Sequence, residues 1–299
     1  MKQAHLRDFI AVIETGSVRA AARRLGLTQS AVSKNLTALE RSLGVPLLVR
    51  STHGVEPTAF GRLALRRARV VDAELRKLHE EIDGLTGHGH GTVAIGLSST
   101  AETVVLPTAF VRFRQQNPDV LVSILGGRSS STIAALRDGR IDFAVGPLPP
   151  EPVGTDLHFE RLFSSELGIV VRKDHPLSNC TDLSALGDAG WLFAVRQADG
   201  ASTVTTLFRK HGLPDPVLAA HCDSNSALVS MLLQTDLVAL SSVAALEPHL
   251  SDGRLKPLAI EVRLPPVVQH LITSATRPLA PSGAALAAEF RRASRRFRR

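Results

Sequence analysis

At 299 residues, 44% apolar and 21% charged, the chain has the composition of a globular protein and the length of two or three domains, each able to bury a core. Its net charge of +7 is unevenly placed: residues 1–90 carry 14 Lys/Arg against 9 Asp/Glu, residues 91–289 carry 15 against 19, and the last ten hold six arginines and no acid. This excludes a uniformly basic protein and favours a nucleic-acid-binding module joined to a mildly acidic body. No apolar run approaches the roughly 18 to 20 residues of a membrane span, and the first eight residues lack a signal-peptide core, so a cytoplasmic protein with no membrane partner is expected. Cys180 and Cys222 lie far apart without ligand spacing, which points to two buried thiols and to neither a disulfide framework nor a metal site.

In chain order, Leu6, Phe9, Ile10 and Ile13 recur at helical spacing, with Gly16 where a C-cap glycine sits. Ser17 is a good N-cap for a second helix, Val18 to Leu25, which stops at Gly26. Thr28 caps a third helix whose Val32, Leu36, Leu39 and Leu43 form a buried stripe before Gly44 ends it. Two helices across the tight Gly26-Leu27-Thr28 turn make a helix-turn-helix. Subtracting the buried stripe leaves Gln29, Ser30, Ser33, Lys34 and Thr37 on one face. These are short hydrogen-bonding groups and a cation, the types that read base edges and phosphates from the major groove. An isolated polar stripe is more often a solvated surface; here the turn and the cationic flanks tip the reading toward DNA. Val45 to Thr58 reads as two short strands around a turn, a wing with Arg50 and His53 near its tip for the minor groove or phosphate. The candidate DNA contacts are therefore Ser17, Thr28, Gln29, Ser30, Ser33, Lys34, Thr37, Arg50 and His53.

Beyond the wing, Gly61, Ala64, Ala68, Val71, Leu75, Leu78, Ile82 and Leu85 follow an uninterrupted 3-4 alternation suited to a coiled coil. Such a stripe needs a partner, either this chain's own following domain or a second copy. Gly87-His88-Gly89-His90-Gly91 ends the helix as a hinge. With Ala94 it spells a G-x-G-x-x-A, but it precedes a strand where a dinucleotide fingerprint follows one, so no nucleotide cofactor is implied. His88 and His90 lack further ligands for a metal.

From Thr92 the pattern alternates. Strands are expected at Thr92–Leu97, Val120–Leu125 and Asp142–Gly146, with helices at Thr103–Gln116 and Ser130–Arg137. A second set follows at Leu167–Val171, Trp191–Val195, Val217–Cys222 and Leu237–Leu240, with helices at Ser202–Lys210 and Asn225–Leu233. A strand at Val267–Thr273 and a helix from Pro281 close the chain. The alternation indicates an α/β region with largely parallel sheets. The arginine-rich tail after Phe290 continues an Ala/Leu-rich helix, and its final residues, which local acids cannot neutralise, are expected to fray and to add non-specific phosphate affinity.

Several ordered blocks resemble the LysR-type transcriptional regulator family: Ala20-Ala21-Ala22-Arg23-Arg24-Leu25, Thr28-Gln29-Ser30-Ala31-Val32-Ser33-Lys34, Leu39-Glu40-Arg41-Ser42-Leu43-Gly44, Leu47-Leu48-Val49-Arg50 and Thr58-Ala59-Phe60-Gly61. Leu48 departs from a usual Phe, and Val18-Arg19 from a common aromatic-threonine pair. The resemblance implies a winged helix-turn-helix over 1–58, a linker dimerisation helix and hinge over 59–88, and an effector-binding domain over 89–299. That domain would have the two-lobed, periplasmic-binding-protein-like (type 2) fold, lobe I spanning 92–161 and 267–299 and lobe II 162–266. Gly139 to Gly146 is its best-matched segment. The resemblance further implies a homodimer through the linker helices, a pseudo-palindromic double-stranded operator and, from the family's habit of pairing dimers, a homotetramer.

In such a fold ligands bind beyond the carboxyl ends of strands, where helix N-termini offer free N–H groups to an anion. Ser98-Ser99-Thr100, Arg128-Ser129-Ser130-Ser131 and Arg196 to Thr203 meet that description. Candidate effector contacts are Ser98, Ser99, Thr100, Ser129, Ser130, Arg196, Ser202 and Thr203, with helix capping as the equally weighted alternative for each hydroxyl. By the likeness, Thr100 and Ser129 stand where family members place effector-binding hydroxyls. The expected effector is a small organic anion, and the likeness leans toward regulators of aromatic-acid or aromatic-sulfonate catabolism. Gly96-Leu97-Ser98-Ser99-Thr100 is not a nucleophile elbow, and no catalytic residues stand out. The alternatives are a cytoplasmic solute-binding protein or an enzyme fused to a DNA-binding anchor.

Overall fold

The computed structural model describes residues 1–51, 54–86, 91–127, 129–149, 152–193, 203–222 and 224–297; the side chains of residues 50, 51 and 83–86 also lie outside the described set. The chain opens with three helices, α1 (Gln3–Thr15), α2 (Val18–Leu25) and α3 (Gln29–Leu43), each stopped by a left-handed glycine at Gly16, Gly26 and Gly44. Ser17 caps α2 by accepting from the Ala20 amide, and Thr28 caps α3 by accepting from that of Ala31. Phe9, Val12, Ala21, Val32, Leu39 and Leu47 are buried together where the three helices meet. The wing is an antiparallel pair, β1 (Leu48–Ser51) and β2 (Gly54–Pro57).

A single helix, α4 (Ala59–Thr86), leaves the wing. Thr58 fastens the junction: its amide donates to Leu47 O, its hydroxyl donates to Pro46 O at 2.8 Å and accepts from the Gly61 amide at 2.9 Å. A Cβ at Gly61 would lie 2.0 Å from Leu47 O, so only glycine allows this approach. The apolar alternation on α4 serves two neighbours. Gly61 and Ala68 are buried within the chain, Leu65 joins the helix-turn-helix core, and Ala73 faces Gly139 and Ile141 further along the chain. Val71, Leu78 and Ile82 stay 43%, 51% and 51% exposed, and Phe60 and Leu63 extend that exposed face. The expected seam is thus only partly free: Gly61 and Ala68 are covered internally, Ala64 and Leu75 are half-buried, and Val71, Leu78 and Ile82 are exposed.

Two five-stranded sheets follow. The first has the order β4 (Leu121–Gly126), β3 (Thr92–Leu97), β5 (Phe143–Gly146), β12 (Val267–Ser274), β6 (Leu157–Ser165). The second has the order β11 (Leu255–Pro257), β7 (Leu167–Arg172), β10 (Val238–Ser242), β8 (Trp191–Phe193), β9 (Leu218–His221). Each has two parallel and two antiparallel pairings. The expectation of largely parallel sheets is corrected: β12 returns from the second lobe and inserts antiparallel to both β5 and β6. Strand β6 is not among the expected strands, and it carries lobe I to Ser165, past the expected limit at 161. Strand β11 and helix α10 (Val243–Ser251) are likewise additions to the expected set.

Helix α5 (Ser99–Val104) and helix α6 (Leu106–Gln116) replace one expected helix, since Pro107 sits in the first turn of α6 and starts it afresh. Helices α7 (Ser129–Arg137), α8 (Thr203–Lys210), α9 (Asn225–Gln234) and α11 (Pro281–Ser294) complete the described set. Lobe I is filled by Ile95, Leu97, Phe113, Phe143 and Phe290, and lobe II by Trp191, which meets Phe208 edge-on at 5.6 Å. The lobes touch where the Thr103 hydroxyl reaches Ala245 O at 3.5 Å and Ser242 bonds Ser165 at 3.1 Å.

The tail continues the last helix, as expected, and Arg291, Arg292 and Arg296 find partners, while residues 298 and 299 lie outside the described residues. Arg291 pairs with Glu160 and Arg292 with Glu289, Arg296 lies over the Phe297 ring, and Phe297 packs beside Phe163. Arg291 is neutralised by an acid distant in sequence and Arg292 by one a helical turn before it, so the chain is packed to Phe297.

Candidate nucleic-acid interface and ligand cleft

Helix α3 divides into a buried and an exposed face, except that Leu43, expected in the buried stripe, is 45% exposed where the helix ends. Val32, Leu36 and Leu39 are buried, while Gln29, Ser30, Lys34 and Thr37 are exposed and Ser33 is half-buried. The Thr37 hydroxyl donates to Ser33 O at 3.1 Å, which leaves its lone pairs outward. Arg41, overlooked in the sequence, is exposed one turn after Thr37, so Ser30, Lys34, Thr37 and Arg41 form one line at 4-3-4 spacing. Ser17 and Thr28 are both engaged as N-caps, Ser17 half-buried and Thr28 exposed, and Thr28 lies 3.1 Å from the Ser30 hydroxyl. Arg50 is placed on β1 opposite Val55, its side chain outside the described set, and His53 lies outside the described residues altogether.

Beneath this face, Asp8 on α1 is fully buried and accepts from Asn35 Nδ2 at 2.7 Å and from Arg7. Asn35 is therefore tied to α1 rather than turned outward. An isolated acid in an apolar helix gave no signal for this in the sequence.

The second cluster forms at the carboxyl ends of β3, β4 and β5. Ser98 follows β3, caps α5 through the Ala101 amide, and donates to Oε1 of the buried Gln269 at 2.8 Å. Ser129 opens α7 and donates to Pro147 O at 2.8 Å. A Cβ built on Gly146, the last residue of β5, would lie 3.7 Å from Ser98 Cβ and 3.9 Å from Ser129 Oγ. The fold thus brings together two hydroxyl residues from separate strand-to-helix turns, around a glycine beside which there is room for a methyl group. Ser99 is half-buried in the first turn of α5, and Thr100 is 5% exposed. Glu102, on the same turn, lies against Gly126, and burial raises the pKa of its carboxyl from the ordinary value.

Other candidates are not brought there. Ser130 is exposed and lines a separate cavity of about 320 Å³ with Arg66 of α4 and Ile133 and Arg137 of α7. Thr203 opens α8 and is exposed, while Arg196 and Ser202 lie outside the described residues. Among the described residues no group of three or more His, Cys, Asp or Glu could hold a metal, and no helix is long and apolar enough to cross a membrane.

Comparison with known proteins covers both parts of the chain. Residues 3–62 match the model of the bacterial regulatory helix-turn-helix protein, lysR family, and residues 86–295 match the LysR substrate binding domain. The HTH-type transcriptional regulator TdcA of Escherichia coli (strain K12) is 31% identical over 264 residues, 88% of this chain and 84% of that protein. GbpR of Azospirillum brasilense is 29% identical over 98% of this chain and 87% of its own length. Among solved structures, that of CbnR, a LysR family transcriptional regulator, has a TM-score of 0.71 at 20% identity and covers 99% of this chain and 100% of its own. Full-length CbnR in complex with its target DNA has a TM-score of 0.67 at 21% identity, over 98% of this chain and 100% of that one.

Proposed function

The chain belongs to the LysR family of DNA-binding transcriptional regulators with an effector-binding domain, and from that premise we propose that its cleft binds a small organic anion through Ser98, Thr100 and Ser129. The observation that carries the reading is the convergence of Ser98 and Ser129 on Gly146 beside the first turn of α7. The N-terminus of a nine-residue helix and two hydroxyls stabilise a carboxylate or sulfonate without a buried lysine. Thr203 would contribute from lobe II. A ligand touching both lobes favours one lobe arrangement over the other and, through the linker helices, changes how paired DNA-binding domains are spaced. We also read the exposed Phe60, Leu63, Val71, Leu78 and Ile82 as the surface on which a second copy's linker helix packs, so that a two-fold protein faces a pseudo-palindromic site. Two such dimers would pair as a cytoplasmic tetramer.

Calorimetry against benzoate, benzenesulfonate, salicylate and succinate tests the cleft. Gly146→Ala places a methyl at ordinary van der Waals distance from Ser98 and Ser129, so the variant is expected to fold as the wild type does and to lose acid binding about tenfold or more. Thr100→Val and Ser129→Ala are expected to weaken the same binder while DNA binding persists. Binders that are only neutral sugars or amines, or affinity indifferent to all three substitutions, would contradict the reading and leave the hydroxyls as helix caps.

A further inference from the structure

Helix α4 and lobe I are joined by the chain through residues 87–90, but the described contacts put a second, non-covalent joint beside that one. Glu80, half-buried on α4, accepts from the amide of Thr92, the first residue of β3, at 3.2 Å. Its other oxygen accepts from the Ser282 hydroxyl at 3.0 Å. Ser282 lies in the first turn of α11, a helix whose N-cap, Ala280, supplies no side-chain cap. The carboxylate therefore brings negative charge to an uncapped helix N-terminus from a different helix, where it is favoured.

Three further features build the joint around it. Lys77, one turn earlier on α4 with a side chain 14% exposed, donates to Pro278 O at 2.9 Å. Gly91 leaves room for the carboxylate: a Cβ there would stand 3.4 Å from Glu80 Cδ and 3.5 Å from Ser282 Oγ. Asp142, half-buried against the same side of α4, accepts from the Ala94 amide at 2.8 Å and faces Arg76, Lys77 and Glu80. The end of α4 is thus held to the start of β3 and the start of α11. Strand β3 runs directly from Thr92 to Ser98 at the cleft.

We infer that Glu80 is the positioning residue that fixes the direction of the linker helix on lobe I, so that lobe I and the DNA-binding module move as one lever across the glycine-rich segment. The inference extends the proposed regulation of paired DNA-binding domains, and the first of its two tests requires neither DNA nor a small molecule, so it stands or falls apart from the effector reading. The two hydrogen bonds carry most of this joint, and the charge at the start of α11 adds a smaller share. The carboxamide introduced by Glu80→Gln keeps an oxygen that accepts from the Thr92 amide and gains an N–H that donates to the Ser282 hydroxyl, whereas the methyl left by Glu80→Ala can do neither.

In the full-length protein, hydrogen exchange of the peptide beginning at Gly91 and of the final turns of α4 is expected to rise about tenfold or more in Glu80→Ala and to stay within about twofold in Glu80→Gln. Exchange in α6 and β5 should not change. On a site selected from random DNA, Glu80→Ala should lose about tenfold or more in affinity for the two-fold site, because the paired modules are no longer pre-set, and almost nothing for an isolated half-site. Unchanged exchange in Glu80→Ala, a uniform rise across lobe I, or equal losses on half-site and full site would each overturn the inference.

Discussion

The reading face of α3 and the lip of the cleft use the same residue types in opposite ways. On α3, Ser30, Lys34, Thr37 and Arg41 stand exposed while an apolar stripe does the folding. At the proposed cleft, Ser98 and Ser129 are tied to Gln269 and Pro147, and Thr100 is nearly buried, so the hydroxyls proposed for recognition also hold the lobe together. The difference teaches where function and stability separate. A helix placed on DNA adds its contacts to a module that already folds. The proposed cleft would borrow hydroxyls that the fold has engaged, so binding there would work through their remaining lone pairs.

The largest expected effect tests the statement that the DNA-binding module folds apart from its reading face. Gly61→Val forces a side chain into Leu47 O and should destabilise the junction of wing and linker helix by about 3 kcal/mol or more, seen as early melting of the module with lobes I and II intact. Next, Ser98→Ala removes a cap and leaves a buried amide oxygen of Gln269 without its donor. It should cost lobe I about 1 to 3 kcal/mol in denaturant unfolding, and a loss near zero would show the cleft hydroxyls to be as dispensable as those on α3.

A pH effect separates the two regions more finely. Burial holds His270 of β12 below its ordinary value of 6.5, and its Nδ1 is buried without a partner. Above that value both folded and unfolded chains are neutral there. As pH falls through it, the unfolded chain takes up a proton that the folded one resists, so stability drops. Unfolding midpoints of lobe I should decline from about pH 7 toward about pH 5.5 more steeply in the wild type than in His270→Gln, and identical slopes would refute the assignment. The smallest effect belongs to α3 itself: Ser30→Ala should change stability by less than about 0.5 kcal/mol, in contrast to Ser98→Ala.

The same contrast explains what the sequence disclosed. Caps, glycine stops and the Val32-Leu36-Leu39 stripe act within a few residues, so all three N-terminal helices and the position of Ser17 and Thr28 were legible. The lobes depend on partners far apart in sequence. Strand β6 begins right after the Pro/Gly-rich break from Pro147 to Asp156, but His158, Glu160 and Arg161 blur its apolar pattern and only Glu166 separates it from β7, so it is recognised once β12 pairs with it. The packed tail follows from Glu160 meeting Arg291. At the cleft, Ser98 and Ser129 were legible as caps following strands, but their meeting at Gly146 was not, and neither was the diversion of Ser130 to another cavity or the part played by Gln269. On α4 the period was visible, while its division between internal neighbours and an open face was set by lobe I.

The most direct test of the account is the ratio of affinities of Gln29→Ala, whose side chain is exposed at the start of α3, for a selected DNA site and for random DNA at fixed salt. If α3 reads bases, the variant loses about 1 to 3 kcal/mol on the selected site and much less on random DNA. Equal losses on both would contradict it, and the polar face of α3 would then hold phosphates without reading sequence.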